Sequence, residues 1–381
     1  MTIGTTQMVA GLGPCLTSVC TRRAWVSRCL QGGSLRSQHT PRHPSRSRVI
    51  RSALGSTSRC ESALSQERSN MSTYEPWPGL GYEEWSDTLE TLHLWTQIVG
   101  KIRLVSTPWT NHSWHCTLYV TPHGLTTSTI CQGSRQFDIE FDLHGHVLVV
   151  RTGEGQRRTV SLEPRTVASF YEELMGHLRE LGFPVKIYVV PNEVLEPIPF
   201  PEDTVHQAYD PDAVARFAQV LSQSARVFTQ FRSGFTGKCS PVHFFWGSFD
   251  LAVTRFSGRR APMHPGGIPG LPDWVTREAY SHEVYSCGFW PGGVSSPAPA
   301  YYAYAYPVPE GLGESPVGPP QAFWSSDMGE FFLPYEAVRT AGDPDAALME
   351  FIRGTYLAAA DLGSWSRSEL ETPVGFPHRI R

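Results

Sequence analysis

The stretch Phe137-Asp138-Ile139-Glu140-Phe141-Asp142 alternates apolar and acidic side chains over six residues. Successive side chains of a β-strand point to opposite faces, so this pattern predicts a strand with one face in a core and one in water. Gly145 follows as a turn residue, and Val147–Arg151 is the expected returning strand of a hairpin. The sequence therefore predicts an antiparallel sheet at this point.

Helices are predicted on both sides of the hairpin from apolar residues at three- and four-residue spacing. They are expected over Trp85–Val99, after Pro164 as far as Gly182, from Asp210-Pro211, and from Asp343-Pro344. Further strands are predicted at Asn111–Thr121, Arg157–Leu162, Val185–Val190, Val242–Trp246, Leu251–Phe256, Glu283–Phe289 and Tyr301–Tyr306. The expected fold class is α+β, with antiparallel sheets and packed helices.

The order helix, Gly-Lys, strands, helix occurs twice, with Gly100-Lys101 in the first copy and Gly237-Lys238 in the second. An internal repeat and a chance similarity both remain open. The expected organisation is an N-terminal half at 71–190, a Pro-rich linker at 191–209, an aromatic-rich half at 210–370 and a tail at 371–381.

Residues 1–70 differ from the rest, because they hold ten arginines, no lysine and only two acids. Such a segment buries too little apolar surface to offset its ordering entropy. Either it is a disordered basic extension, or Met71 is the true start and the segment is a mis-annotated beginning.

The 311 residues after position 70 carry a net negative charge, which disfavours a nucleic-acid partner because phosphate contacts need a positive surface. The chain has no apolar run long enough for a membrane span. Widely spaced cysteines at 116, 131, 239 and 287 favour reduced thiols and a cytoplasmic location. Cofactor and oligomeric state are left unknown.

Several familiar chemistries are excluded by their spacing. Gly237-Lys238-Cys239 lacks the first glycine and the hydroxyl of a phosphate loop, and Gly247-Ser248-Phe249 lacks the glycines of a nucleophile elbow. His112 and His115, three apart on a predicted strand, would face opposite ways, so no metal ligand is assigned.

The positive signal is a set of His, Lys and Arg residues among dense aromatics, twenty of them between Phe235 and Tyr335. A small-molecule pocket needs such a lining with a few convergent polar groups, although an aromatic core is the plainer alternative. His243, His282 and Glu283 are the catalytic candidates, a histidine paired with Glu283 moving protons. The ligand-binding candidates are His93, Gln97, Lys101, His112, Lys238, Trp246, Asp250 and Arg255.

The leading hypothesis is an aromatic-lined pocket for an anionic small molecule, with catalysis left open. The alternative is a non-catalytic interaction or structural protein whose aromatics are core. The blocks Leu92–Lys101, Gly237–Gly258, Ser281–Gly292 and Tyr302–Pro307 resemble an uncharacterised bacterial family, a domain of unknown function. The resemblance spans about Trp77 to Leu370 and implies no activity or cofactor.

Overall fold

The predicted hairpin is present in the computed structural model of the chain, which describes residues 75–268, 271–293 and 298–372. Arg135–Asp142 pairs antiparallel with Val147–Thr152, and Ile139 lies opposite Val150. Both of these side chains are fully buried, whereas Asp138 forms an ion pair with Arg151 at the sheet surface. The alternation in the sequence thus sets which face of this sheet enters the core.

Two sets of elements follow one another along the chain. The first comprises helix α1 (Tyr82–Ser106), strands β1 (Tyr119–Val120), β2 (Gly124–Thr126), β3 (Ile130–Gln132), β4 (Arg135–Asp142), β5 (Val147–Thr152) and β6 (Arg157–Ser161), and helix α2 (Val167–Glu180). The second comprises α3 (Pro211–Ser233), β7 (His243–Phe245), β8 (Asp250–Arg260), α4 (Asp273–Ala279), β9 (His282–Trp290), β10 (Ala300–Tyr306), β11 (Phe323–Ser325), β12 (Glu330–Pro334), α5 (Tyr335–Arg339), α6 (Pro344–Leu362) and α7 (Arg367–Leu370). Short 3-10 helices lie at Asn111–Ser113, Phe200–Glu202 and Leu312–Glu314.

Each set contains one six-stranded antiparallel sheet. The first sheet has the order β1-β2-β4-β5-β6 with β3 beside β4, and the second has the order β11-β12-β10-β9-β8-β7. The predicted α+β class is therefore confirmed. The order helix, sheet, helix recurs, but the Gly-Lys correspondence is wrong, because Gly100-Lys101 lies inside α1 whereas Gly237-Lys238 follows α3.

One backbone bridge joins the two sheets. Leu118, just before β1, exchanges backbone hydrogen bonds of 2.9 and 2.7 Å with Phe244 in β7. Helix α3 covers this junction: its Phe217 stacks on Phe249, with ring centroids 5.4 Å apart. Gly100 in α1 lets Trp246 approach, since a Cβ there would lie 2.2 Å from the indole ring. The described residues from Trp77 onward belong to one compact unit.

Two predicted strands are absent from the places where the sequence suggested them. Asn111–Thr121 begins as a 3-10 turn in which His112 and Ser113 have φ of 60° and 56°, and only Tyr119–Val120 pairs. Residues 185–190 form no strand, because side chains of α1 bind the following backbone in place of a ladder. Positions 1–70, and all but the first two residues of the predicted tail, lie outside the described residues. Over the described ranges, no helix combines the length and apolar character that crossing a bilayer requires.

Candidate functional site

One face of the second sheet forms the floor of a small cavity of about 50 Å³. Directly opposed residues of neighbouring strands share a face, and Ala252, Gly288 and Tyr302 are opposed across β8, β9 and β10. Gly288 is required here because a Cβ would lie 2.3 Å from the Tyr302 hydroxyl oxygen. The cavity is lined by this face and by parts of residues 112–114 and 268–280: His112, Trp114, Phe245, Ala252, Thr254, Phe256, Ile268, Leu271, Thr276, Ala279, Tyr280, Val284, Ser286, Tyr302 and Tyr304.

His112 is fixed in the cavity wall by helix α4. Its backbone N–H donates to both carboxylate oxygens of Glu278, at 2.8 and 2.7 Å. Its Nδ1 lies 3.1 Å from the Glu278 carbonyl oxygen and 3.2 Å from that of Ala279. Carbonyl oxygens only accept hydrogen bonds, so Nδ1 carries the proton and Nε2 is left as an acceptor. The loop conformation with φ of 60° therefore presents one defined imidazole tautomer.

Lys238 occupies the acceptor side of that imidazole. Its Nζ lies 2.6 Å from Nε2 of His112, 5.4 Å from the ring centroid of Trp114 and 4.8 Å from that of Phe256. All three partners line the cavity, while the lysine itself is exposed to solvent. The amine is thus held at the cavity edge between an imidazole nitrogen and two aromatic faces.

Burial lowers the pKa of both bases. Burial, and then the charge of Lys238, lower the pKa of His112 to about 4. Burial lowers the pKa of Lys238, and the nearby Glu278 carboxylate opposes that shift. His282, on the cavity face of β9, has its pKa lowered by burial and by the charges of Lys238 and Arg260. The charge state of any one of His112, Lys238 and His282 therefore affects the others.

The other end of the cavity is a hydroxyl and carboxyl network. Asp250 accepts hydrogen bonds from the hydroxyls of Ser248 and Tyr302. Burial raises the pKa of Asp250 to about 6, with these two hydrogen bonds opposing the shift. On the floor between the two ends, the hydroxyls of Thr254 and Ser286 lie 2.8 Å apart. Tyr302, which lines the cavity, connects Asp250 to it through the hydrogen bond that its hydroxyl donates.

His243 lies on the cavity side of β7 but behind aromatic rings. It is fully buried, and its ring centroid is 4.6 Å from that of Phe245 and 6.2 Å from that of Trp114. Its Nδ1 lies 3.3 Å from the Thr117 hydroxyl, and its Nε2 has no hydrogen-bond partner among the described residues. Burial lowers the pKa of His243 to about 3, so it is neutral.

Three other sequence candidates lie on the opposite face of the second sheet. Trp246 donates its indole N–H to the carbonyl of Cys116 at 2.7 Å. Arg255 is stacked on Phe231, at 3.5 Å from the guanidinium carbon to the ring centroid. Glu283 forms an ion pair with Arg259 at 2.6 Å. Since neighbours in a strand face opposite ways, Glu283 does not pair with His282, contrary to the proposed proton-moving pair.

The polar stripe of α1 binds the chain between the two sets of elements. Gln97 donates to the carbonyl of Asn192 and accepts from its N–H, both at 2.8 Å, so it substitutes for a strand partner. Lys101 donates to the Val190 carbonyl at 2.7 Å and to Oδ1 of Asn192 at 2.6 Å. His93 contacts the Gly247 carbonyl at 2.9 Å. We call this arrangement of His93, Gln97 and Lys101 the connector clasp. None of these three residues lines the cavity described above.

Burial without a counter-charge shifts the pKa values of the clasp. It lowers the pKa of Lys101 to about 7 and that of His93 to about 4. Next to Asn192, Glu193 has φ of 59°, and neither carboxylate oxygen has a hydrogen-bond partner within the described ranges. Burial, together with the Asp250 charge, raises the pKa of Glu193 to about 8. At neutral pH, Glu193 is therefore mostly a neutral acid.

Sequence reasoning missed Glu278 and Glu193. Glu278 belongs to a seven-residue helix that follows a Gly/Pro-rich segment, and no apolar period marks it. Glu193 sits in the Pro-rich connector, whose backbone path depends on α1. Among the described residues, no group of three or more His, Cys, Asp or Glu side chains is placed to hold a metal ion.

Residues 77–372 match a family described only as a "Family of unknown function (DUF5996)", and the chain belongs to that family. Comparisons with curated proteins and with solved structures gave no match.

Proposed function

We propose that this member of a family without an assigned function binds a small anionic molecule in the cavity on the second sheet. One observation carries the proposal: an aromatic-lined cavity has the tautomer-fixed His112, with Lys238 against it, in its wall. Such a site supplies apolar contact for the body of a ligand and a cation for its charge.

The size of the cavity limits the ligand. Pockets for drug-sized ligands measure roughly 300–1,000 Å³, whereas this cavity measures about 50 Å³. A molecule of a few non-hydrogen atoms, such as a two- or three-carbon carboxylate, is the class that we propose. We place its carboxylate towards Lys238 and Arg260, the two cations whose charges lower the pKa of His282.

The free thiols of the described residues support a cytoplasmic setting. Cys116, Cys131, Cys239 and Cys287 form no disulfide with one another. Burial raises the pKa of Cys116 and of Cys287 to about 12, so these thiols are unreactive at neutral pH. We propose a bacterial cytoplasm as the site of action.

Ligand binding can be tested by fluorine NMR on the full chain, with trifluoroacetate as the anionic probe and trifluoroethanol as the neutral one. We expect saturable broadening for trifluoroacetate and a much weaker response for trifluoroethanol. Ala252→Leu fills the cavity floor and should abolish the response, and Lys238→Met should weaken it. Lys186→Met, which changes an exposed lysine elsewhere, is the matched control. A response that is absent, or unchanged by Ala252→Leu, would contradict the proposal.

A further inference from the structure

We infer that Lys238 is a nucleophilic amine that condenses with small aldehydes or ketones bearing an anionic group, and that His112 carries the protons. This inference rests on the proposed ligand site and names its substrate class. The chain has only three lysines, at 101, 186 and 238. Of these, only Lys238 is both exposed and in contact with residues that line the cavity.

The first requirement is an amine that is accessible and held without a tight carboxylate partner. The closest contacts of the Lys238 Nζ are the His112 imidazole, at 2.6 Å, and the ring faces of Trp114 and Phe256. The carboxylate of Glu278 is occupied by the backbone N–H of His112. Lysines become nucleophilic when their surroundings favour the neutral amine, and burial shifts the pKa of Lys238 in that direction.

The second requirement is a base beside the amine. Nδ1 of His112 is protonated, because two carbonyl oxygens face it, so the lone pair of Nε2 points at Nζ. His112 is a neutral imidazole at pH 7 and can accept a proton only transiently, which suits a relay between nitrogen and oxygen.

The condensation converts the amine and the carbonyl group into an imine and water. The Nζ lone pair forms a bond to the carbonyl carbon while the C=O π pair moves to oxygen. Nζ loses two protons in all and the oxygen gains two, with Nε2 of His112 carrying them, and the oxygen departs as water as the C=N bond forms. No electron donor or acceptor is required, and the product is an imine.

The charges around the amine favour a substrate with an anionic group. Arg260 lies opposite His282 in the register of β8 and β9, and the charges of Lys238 and Arg260 both lower the pKa of His282. When the amine becomes a neutral imine, Arg260 remains as the cation of this group. An oxo acid of two or three carbons matches both this charge and the cavity volume.

The test is reductive trapping on the full chain near pH 7.5, with cyanoborohydride and either glyoxylate or propanal, followed by peptide mapping. Lys186, also exposed, is the internal control within each sample. We expect Lys238 to be alkylated at least about tenfold faster than Lys186, because only Lys238 has an imidazole base beside its amine. Arg260→Gln should slow glyoxylate but leave propanal unchanged. His112→Gln, checked for folding by circular dichroism, should bring Lys238 to the rate of Lys186.

Equal rates at the two lysines with both probes would overturn the inference. If trifluoroacetate still bound in that case, the ligand site would stand and only its covalent chemistry would be lost. Absence of trifluoroacetate binding, by contrast, would contradict the proposed function whatever the labelling result.

Discussion

Lys101 is a buried amine whose hydrogen-bond acceptors are a backbone carbonyl and an amide oxygen, and it should make the stability of the protein rise with pH. Its side chain is 1% exposed, and burial lowers its pKa from 10.5 to about 7. Between these two values, the unfolded chain keeps a proton that the folded protein has lost. The free energy of unfolding therefore increases as pH rises through this window.

The size of the effect follows from the two pKa values. From pH 7.0 to 8.5, the fraction of folded molecules with a charged Lys101 falls from about half to a few per cent, while the unfolded chain stays almost fully charged. The linkage relation then gives a gain of about 1.5 to 2 kcal/mol from this one group. Lys101→Met removes the titration and should remove this gain.

Urea unfolding followed by tryptophan fluorescence, at pH 7.0 and 8.5, measures the change directly. The comparison is between the pH dependence of the wild-type protein and that of Lys101→Met, so the loss of two hydrogen bonds, which lowers stability at both pH values, cancels. Lys186→Met, at an exposed lysine of the same connector region, should keep the wild-type dependence. A wild-type pH dependence of stability in Lys101→Met would show that this amine is not the source of the gain.

Glu193 should make the free energy of unfolding fall as pH rises, because its pKa in the folded protein, about 8, exceeds the ordinary 4.5. Glu193→Gln removes this term, so the free energy of unfolding should then rise by about 1 kcal/mol more than in the wild type from pH 7.0 to 8.5 in the same assay. Gly100→Ala should destabilise by about 1–3 kcal/mol or more in urea, because its Cβ would overlap the Trp246 ring. Gly176→Ala is its control, since a Cβ there meets nothing closer than 3.9 Å, and it should be neutral or stabilising by up to about 1 kcal/mol. A higher melting temperature for Gly100→Ala than for Gly176→Ala would contradict the proposed overlap with Trp246. Asp210→Ala should lower the free energy of unfolding in urea by about 1 kcal/mol, because its carboxylate caps two N–H groups at the start of α3. An unchanged midpoint of urea unfolding would show that the cap contributes nothing.

The fold was predictable wherever one chemical pattern fixed one conformation. Alternation over 137–142 gave a strand, and an acid followed by proline gave the starts of α3 and α6, where Asp210 and Asp343 cap the first turn. Gly182 ends α2 with φ of 79°, as expected of a left-handed cap. The connector was not predictable, because the carbonyls of Val190 and Asn192 accept hydrogen bonds from side chains of a helix about ninety residues earlier in the chain.

The candidate site was only partly accessible to sequence reasoning. Adjacent residues of a strand face opposite sides of the sheet, so Glu283 cannot share a face with His282, nor Arg255 with Thr254. The predicted strands alone were therefore enough to exclude Glu283 and Arg255 from the cavity face. The meeting of His112 with Lys238 required the fold, since they are 126 residues apart and His112 lies in a loop with positive φ. Glu278 holds that loop from a helix of seven residues, which is too short to show a periodic pattern of apolar residues in the sequence.

The connector clasp grips the chain only as far as Asn192, and Leu195, three residues on, is 74% exposed. The polypeptide can therefore be opened at this point without breaking a backbone ladder. A nick between Leu195 and Glu196 yields one piece with the clasp and the first sheet and another with the second sheet, and the cavity takes its lining from both pieces. The reciprocal Leu118–Phe244 bonds, together with the packing of α3, would still hold the pieces in register. The architecture thus allows a break in the chain at the connector, away in sequence from both Lys101 and Lys238.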